Sequence, residues 1–282
     1  MLRALVHAVS DSASRGDARR RDWLESDHID EGLLVKVLIT NDDGVHAPGL
    51  AALMKRIAEL AEVVVVAPDR ERSAVGHALT LHHPLRAARI SENIFSVDGT
   101  PTDCVNLGIH SLLSFRPDLV ISGVNRGGNL GDDVTYSGTV AAALEATLMG
   151  IPAIAVSLVT SGAGDHFEVA ADCAARLAQT VFEKGLPSDT FLNVNVPDLP
   201  ARSLLPPLIT CQGKRSYEGT IVDKVDPRGR NYYWIGTADL SFQDIPGSDY
   251  HAISRGHVSI TPLHYDLTNY ASIETLKGWQ LR

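Results

Sequence analysis

Asp42 and Asp43 stand side by side directly after the apolar run Val35–Thr40, in the stretch VKVLITNDDGVHAPGL. Adjacent carboxylates repel one another, and burying one unpaired costs on the order of several kcal/mol, so a cation is the economical neutraliser. An ordinary Asp-Gly turn is the plain alternative, because an acidic turn needs no ligand. Three further polar clusters bear on that choice. In Pro68-Asp69-Arg70-Glu71-Arg72-Ser73-Ala74-Val75-Gly76-His77, two arginines and Ser73 offer phosphate contacts or a hydroxyl ligand, although the same run also reads as a solvated charge cluster. Between Ser122 and Asp133, SGVNRGGNLGDD offers the amide oxygens of Asn125 and Asn129 among glycines that admit close backbone approach; a flexible Gly-rich loop is the alternative. Tyr136-Ser137-Gly138-Thr139 opens an Ala-rich helix. Such a start presents unpaired N–H groups to a phosphoryl oxygen, and Ser or Thr there also serves as a cap. Carboxylate, hydroxyl and amide oxygens together suit a hard divalent cation, Mg2+ or Mn2+, better than a structural zinc.

Each cluster follows an apolar run or opens a helix, which places all of them on one kind of edge. The pattern predicts strands at Val35–Thr40, Val63–Ala67, Leu119–Ser122, Ile154–Leu158 and Phe191–Val196, and helices at Gly49–Ala61, Pro101 to about Ser111, Thr139–Met149 and His166–Lys184. Extended segments over Leu79–Ile90 and Ile94–Val97 have the alternation of a hairpin. This β-α-β rhythm predicts an α/β fold, a Rossmann-like, doubly wound, mostly parallel sheet whose ligands bind at the carboxyl ends of its strands. The rhythm is lost between about Pro206 and Gly256, where Pro, Gly and aromatics come in short runs. The expected organisation is therefore an extension over 1–34, an α/β metal- and phosphate-binding core over 35–200, and a smaller β-rich part with projecting hairpins over 201–282.

The chain has 282 residues, of which 44% are hydrophobic, enough for a sizeable core. A net charge of -9 argues against a nucleic-acid polymer as partner, since such a surface needs clustered Lys and Arg. The three cysteines lack zinc-type spacing and are odd in number, which fits a reducing cytoplasm. No apolar run reaches the roughly 18 to 20 residues of a membrane span. The first 34 residues are polar and charged around Arg19, Arg20 and Arg21, and are expected to be poorly ordered, with an oligomer-clasping arm as the alternative.

Taken in order, the four clusters resemble the SurE family of survival-protein E nucleotidases, and further stretches extend the likeness from Val35 to Leu263: VDGTPTDC from Val97, YSGTVAAA from Tyr136, NVNVP from Asn193, YWIG from Tyr233 and SITPL from Ser259. The resemblance implies a metal-dependent phosphatase that releases phosphate from nucleoside 5'-monophosphates, often accepting 3'-nucleotides and short polyphosphate. It implies one divalent cation per subunit, held by Asp42, Asp43, Ser73 and Asn125, with Asn129, Ser137, Gly138 and Thr139 at phosphate-contacting positions. It also implies a homodimer or homotetramer with arms exchanged between subunits. Residues 1 to 34 fall outside it, as an upstream start site would explain.

In-line attack on a phosphate monoester needs charge neutralisation and a held nucleophile. The expectation is that Asp42 or Asp43 orients or deprotonates an attacking water, with aspartyl-phosphate formation less favoured for a carboxylate engaged on a metal. The histidines include no HExxH pair, and His77 borders the clusters either as an acid or substrate contact or as a surface residue. A Rossmann dehydrogenase is disfavoured because the first β-α turn reads NDDGVHAPG rather than GxGxxG. A non-catalytic nucleotide- or metal-binding Rossmann-like protein is the remaining alternative.

Overall fold

In the computed structural model, the described residues are 35–160, 165–216, 221–235 and 242–279. Strands β1 (Lys36–Thr40), β2 (Glu62–Pro68), β5 (Leu119–Arg126), β6 (Ala153–Val159) and β7 (Thr190–Pro197) are apolar runs buried on both faces, as a covered parallel sheet requires. With β3 (Ala87–Ser91), β4 (Ile94–Val97), β8 (Leu205–Ile209) and β11 (His257–His264) they form one nine-stranded sheet of order β3-β4-β2-β1-β5-β6-β7-β11-β8. The pairings are parallel except β3 with β4 and β11 with β7.

Alternation along the central strands sorts the core into two layers. Val37, Ile39, Val63 and Val65 face helices α1 (Pro48–Ile57) and α4 (Phe167–Lys184), while Leu38, Val64 and Val66 join the cluster of α2 (Pro101–Leu107) and α3 (Gly138–Leu148). Leu53 and Ile57 of α1 are wholly buried, and each such side chain contributes about 1.5–3 kcal/mol by leaving water. Local signals set the helix starts. Pro48 occupies the first turn of α1; Thr100 and Asp103 form a reciprocal capping box on α2; and Ser137 Oγ accepts the Val140 N–H at 3.1 Å to cap α3.

The doubly wound α/β expectation holds, with three local differences. The α1 helix ends at Ile57 rather than Ala61, and α2 passes at Gly108 into a wider π-helical turn, Gly108–Leu112. Strand β5 runs to Arg126 instead of stopping at Ser122, because its register against β6 shifts between Ser122 and Asn125. Gly123 makes that bulge feasible: its φ is +138°, and a Cβ there would lie 2.3 Å from Val156 O.

Beyond residue 200 the chain adds β8 and β11 to the main sheet, and β9 (Ile221–Val225) pairs with β10 (Asn231–Ile235) as a separate antiparallel hairpin. Helices α5 (Asp249–Ser254) and α6 (Tyr270–Lys277) complete the described elements. The expected extension over 1–34 lies outside the described residues.

Candidate active site and metal centre

The acidic pair leaves the carboxyl end of β1, and backbone hydrogen bonds lace the neighbouring loops to it. Asn41 Nδ2 donates to Gly44 O at 2.9 Å and closes the turn. Arg72 N donates to Asp42 O at 2.7 Å, bringing the loop after β2 alongside. Arg126 N, at the end of β5, donates to Asp43 Oδ2 at 3.0 Å. The start of α3 closes the ring: Thr139 Oγ1 donates to Asp42 Oδ1 at 2.6 Å, and Thr139 N to Asp42 Oδ2 at 3.2 Å. Gly138 lets the helix come this near, since a Cβ on it would stand 2.9 Å from the Asp42 Cβ. All four polar clusters therefore meet at one sheet edge.

A cavity of about 600 Å³ opens there, lined by Asp42, Ser73, Asn125, Asn129 and Ser137 among others. Asp43 is tied to its wall through Arg126, which lines it. Gly138 and Thr139 are buried behind Asp42, and the Thr139 hydroxyl is spent on that carboxylate. Asn129 is held by an asparagine cradle: its N–H donates to Asn195 Oδ1, its carbonyl accepts from Asn193 and Asn195, and its Nδ2 donates to Ser157 Oγ at 2.7 Å. A second cavity, about 480 Å³, lies where α4 meets β8 and β11, lined by Cys173 and Leu177 and by none of the four clusters.

Burial governs the electrostatics of the acidic pair. Burial raises the Asp42 carboxyl above its usual range against the opposing Thr139 hydrogen bonds, and Glu71 adds repulsion. Burial likewise pushes Asp43 up to about 6, with the negative charges of Asp42 and Glu71 working against the Arg126 N–H. In both, burial is the leading cause, since it disfavours the charged form of a carboxyl group. The other donors are suited to a metal. Ser73 Oγ donates its proton to Glu71 Oε1 at 2.8 Å, which leaves the oxygen's lone pairs as its remaining bonding capacity. Asn125 Nδ2 is committed to Gly127 O at 2.8 Å, and its Oδ1 has no hydrogen-bond donor among the described residues. No group of three His, Cys, Asp or Glu suited to a metal occurs among the described residues. What the edge offers instead is two carboxylates beside neutral oxygens, a donor set of the kind hard cations take.

Several residues of the site have no mark in the sequence. Arg215 lines the cavity, its guanidinium paired with Asp133 and its backbone N–H donating to Asp132 Oδ2 at 3.1 Å. It comes from a segment with no β-α rhythm, so the strand-edge rule cannot locate it. Buried Asp249 accepts from Gly131 N at 2.8 Å and Gly213 N at 3.0 Å, joining the Gly-rich loop to the segment that carries Arg215. Glu71 had one signal, its position two residues before Ser73. His77 Nε2 meets Glu145 Oε2 at 2.7 Å rather than either member of the acidic pair.

Known proteins share this chain's sequence and fold. The sequence profile of the family described as Survival protein SurE matches residues 37–219, a span containing all four clusters. The chain is 84% identical over 247 residues to the 5'-nucleotidase SurE of Geobacter sp. (strain M21), covering 88% of this chain and 100% of that protein. It is 83% identical, with the same coverage, to the 5'-nucleotidase SurE of Citrifermentans bemidjiense. The crystal structure of the SurE protein from Aquifex aeolicus superposes with a TM-score of 0.78 at 44% identity, covering 86% of this chain and 98% of that one. The acidic pair just after the first strand, the oxygen-bearing residues Ser73 and Asn125 and the helix start beside them sit inside a matched span of more than half the sequence, and the chain belongs to the SurE family.

Proposed function

We propose that this protein is a 5'-nucleotidase, hydrolysing nucleoside 5'-monophosphates to nucleoside and inorganic phosphate with one divalent cation, Mg2+ or Mn2+, per subunit. The observation that carries the reading is the meeting of Asp42, Ser73 and Asn125 on one cavity, with Asp43 bonded to its wall. The highly identical relatives named 5'-nucleotidase SurE support it.

Asp42, Asp43, Ser73 and Asn125 would hold the cation. When bound, it supplies Lewis acidity toward a phosphoryl oxygen and toward water. Asp42 has both oxygens fixed by Thr139, which suits a positioned ligand better than a proton acceptor. Asp43 has Oδ2 occupied by the Arg126 N–H, so Oδ1 is the atom that takes the proton from the attacking water. The water oxygen bonds to phosphorus, the ester P–O bond breaks in line, the leaving 5'-oxygen takes a proton from solvent water, and Asp43 returns its proton to solvent. Ser137 Oγ accepts from Val140 N, which leaves its hydroxyl proton for a phosphoryl oxygen; Asn129 and the start of α3 flank that contact.

Two further parts of the reading concern the whole protein. The β9–β10 hairpin exposes Tyr233 and Ile235 on one side and Trp234 on the other, apolar surface that fits burial against a second copy in a homodimer or homotetramer. The three free thiols fit the reducing cytoplasm.

Asp43→Asn tests the chemistry. It should lower phosphate release from AMP by about 100-fold or more while circular dichroism stays near wild type. Near-full activity would remove Asp43 from the site. A non-catalytic binder would retain AMP and release no phosphate at any cation concentration.

A further inference from the structure

We propose that Tyr136 is the nucleobase platform of the active site, the side chain on which the base of the substrate stacks, and so the residue that separates nucleotides from simple sugar phosphates. The proposal rests on the nucleotidase reading above and names a specificity residue for it. Tyr136 lines the same cavity as Asp42, Ser73 and Asn125, yet is 57% exposed. Among the described residues its phenol oxygen makes no hydrogen bond and its ring stacks on no other aromatic. An aromatic ring left open beside a polar cavity has a whole face to offer.

The position of this ring is set by the backbone around it. Tyr136 ends the short 3-10 helix Gly131–Tyr136, and its carbonyl accepts the Gly76 N–H at 3.1 Å. The next residue, Ser137, caps α3, and the one after, Gly138, packs against Asp42. The platform is therefore fixed two residues from the backbone that touches the acidic pair, as a group must be if it is to hold one end of a small substrate while the other end reacts.

The lining, which also includes Arg126, Asp133 and Arg215, offers both kinds of surface that a nucleoside monophosphate presents. Asp42, Ser73 and Asn125 bring the charged and polar oxygens, whereas Tyr136, Ala74 and the 83% exposed Ile235 bring apolar surface. Gly127 and Gly128 leave part of the wall without side chains, which makes room for a flat ring. The cavity, about 600 Å³, lies within the ordinary size of a small-molecule site. A stacking platform reads the face of a base and not its edge, so it accepts purines and pyrimidines alike. Covering of Tyr136 by a second copy of the chain is the competing role, and it makes no distinction between substrates with and without a base.

The test compares kcat/KM for AMP and for ribose 5-phosphate, both with Mn2+, in wild type, Tyr136→Phe and Tyr136→Ala. Wild type should favour AMP. Tyr136→Ala should cut the AMP to ribose 5-phosphate ratio by about tenfold or more, chiefly through KM for AMP, and Tyr136→Phe should keep the ratio. An unchanged ratio in a natively folded Tyr136→Ala protein would overturn the proposal. Should that variant fail to fold, Tyr136→Trp supplies a second readout: its added emission should be quenched by AMP and not by ribose 5-phosphate, and emission indifferent to AMP would equally overturn it. Failure of wild type to release phosphate from either compound would refute the nucleotidase reading instead.

Discussion

Thr139 gives both its hydroxyl and its backbone N–H to the buried Asp42, 97 residues earlier in the chain. A ligand's aim is set by what stands behind it, and removing such support commonly weakens a metal site by about 10–100-fold. Thr139→Val deletes the hydroxyl while keeping the shape, leaving a buried carboxylate oxygen short of a donor. The expected cost is about 1–3 kcal/mol in urea unfolding, accompanied by weaker Mn2+ binding in a titration; undiminished affinity would show that Asp42 is held without it. The role of Thr139 also shows how far the sequence reaches at this scale. The clusters that hold Asp42, Asp43, Ser73 and Asn125 stood out because each follows a parallel strand, and the resemblance to the SurE family singled out those four within them. Thr139 could be placed at a helix start, but nothing local records that a side chain from β1's loop takes that helix start for itself. Arg215 was invisible for a different reason, since its segment has neither helical nor strand period.

Among the elements, the central strands and their covering helices were legible because continuous apolar runs and 3.6-residue periodicity are strong signals. The bulge in β5 was not, because Gly123 in Ser-Gly-Val-Asn reads as the opening of a loop and only the partner strand reveals that pairing resumes at Asn125. Helix α3 is tied to its neighbours by Glu145, which is nearly buried and accepts from Asn106 of α2 at 2.9 Å while meeting His77 at 2.7 Å. The His77 hydrogen bond, more than any other contact, holds the Glu145 carboxyl below its ordinary 4.5. A carboxylate depressed in the folded state contributes stability that is present in full above its unfolded pKa and is lost as pH falls through its lower folded value. The stability advantage of wild type over Glu145→Gln should therefore shrink on acidification from about pH 6 to about pH 3, read as urea midpoints across pH. An advantage that grows toward acid would contradict the assignment.

Over the whole molecule, residues beyond 200 do more than decorate the core. They supply β8 and β11 to the main sheet, Arg215 to the cavity and Asp249 as the strut between Gly131 and Gly213. The change of texture near Pro206 was readable, whereas the return of those strands to the main sheet was not, because long-range pairing leaves no local trace. The β9–β10 hairpin is two-stranded, a form only marginally stable alone in water, and its Trp234 is 62% exposed. Light scattering should report a dimer or tetramer at micromolar concentration, and Trp234→Glu should shift it toward smaller species; a monomeric wild type would contradict the proposed assembly. No helix among the described residues is long and apolar enough to cross a membrane. The most direct test of the central claim is a paired titration of chelator-stripped protein with Mn2+, following cation binding and AMP hydrolysis in the same samples. Activity should be absent at the start and rise in step with occupancy to saturation at one Mn2+ per chain. Full hydrolysis by the stripped protein, or saturation of binding with no phosphate released, would contradict it.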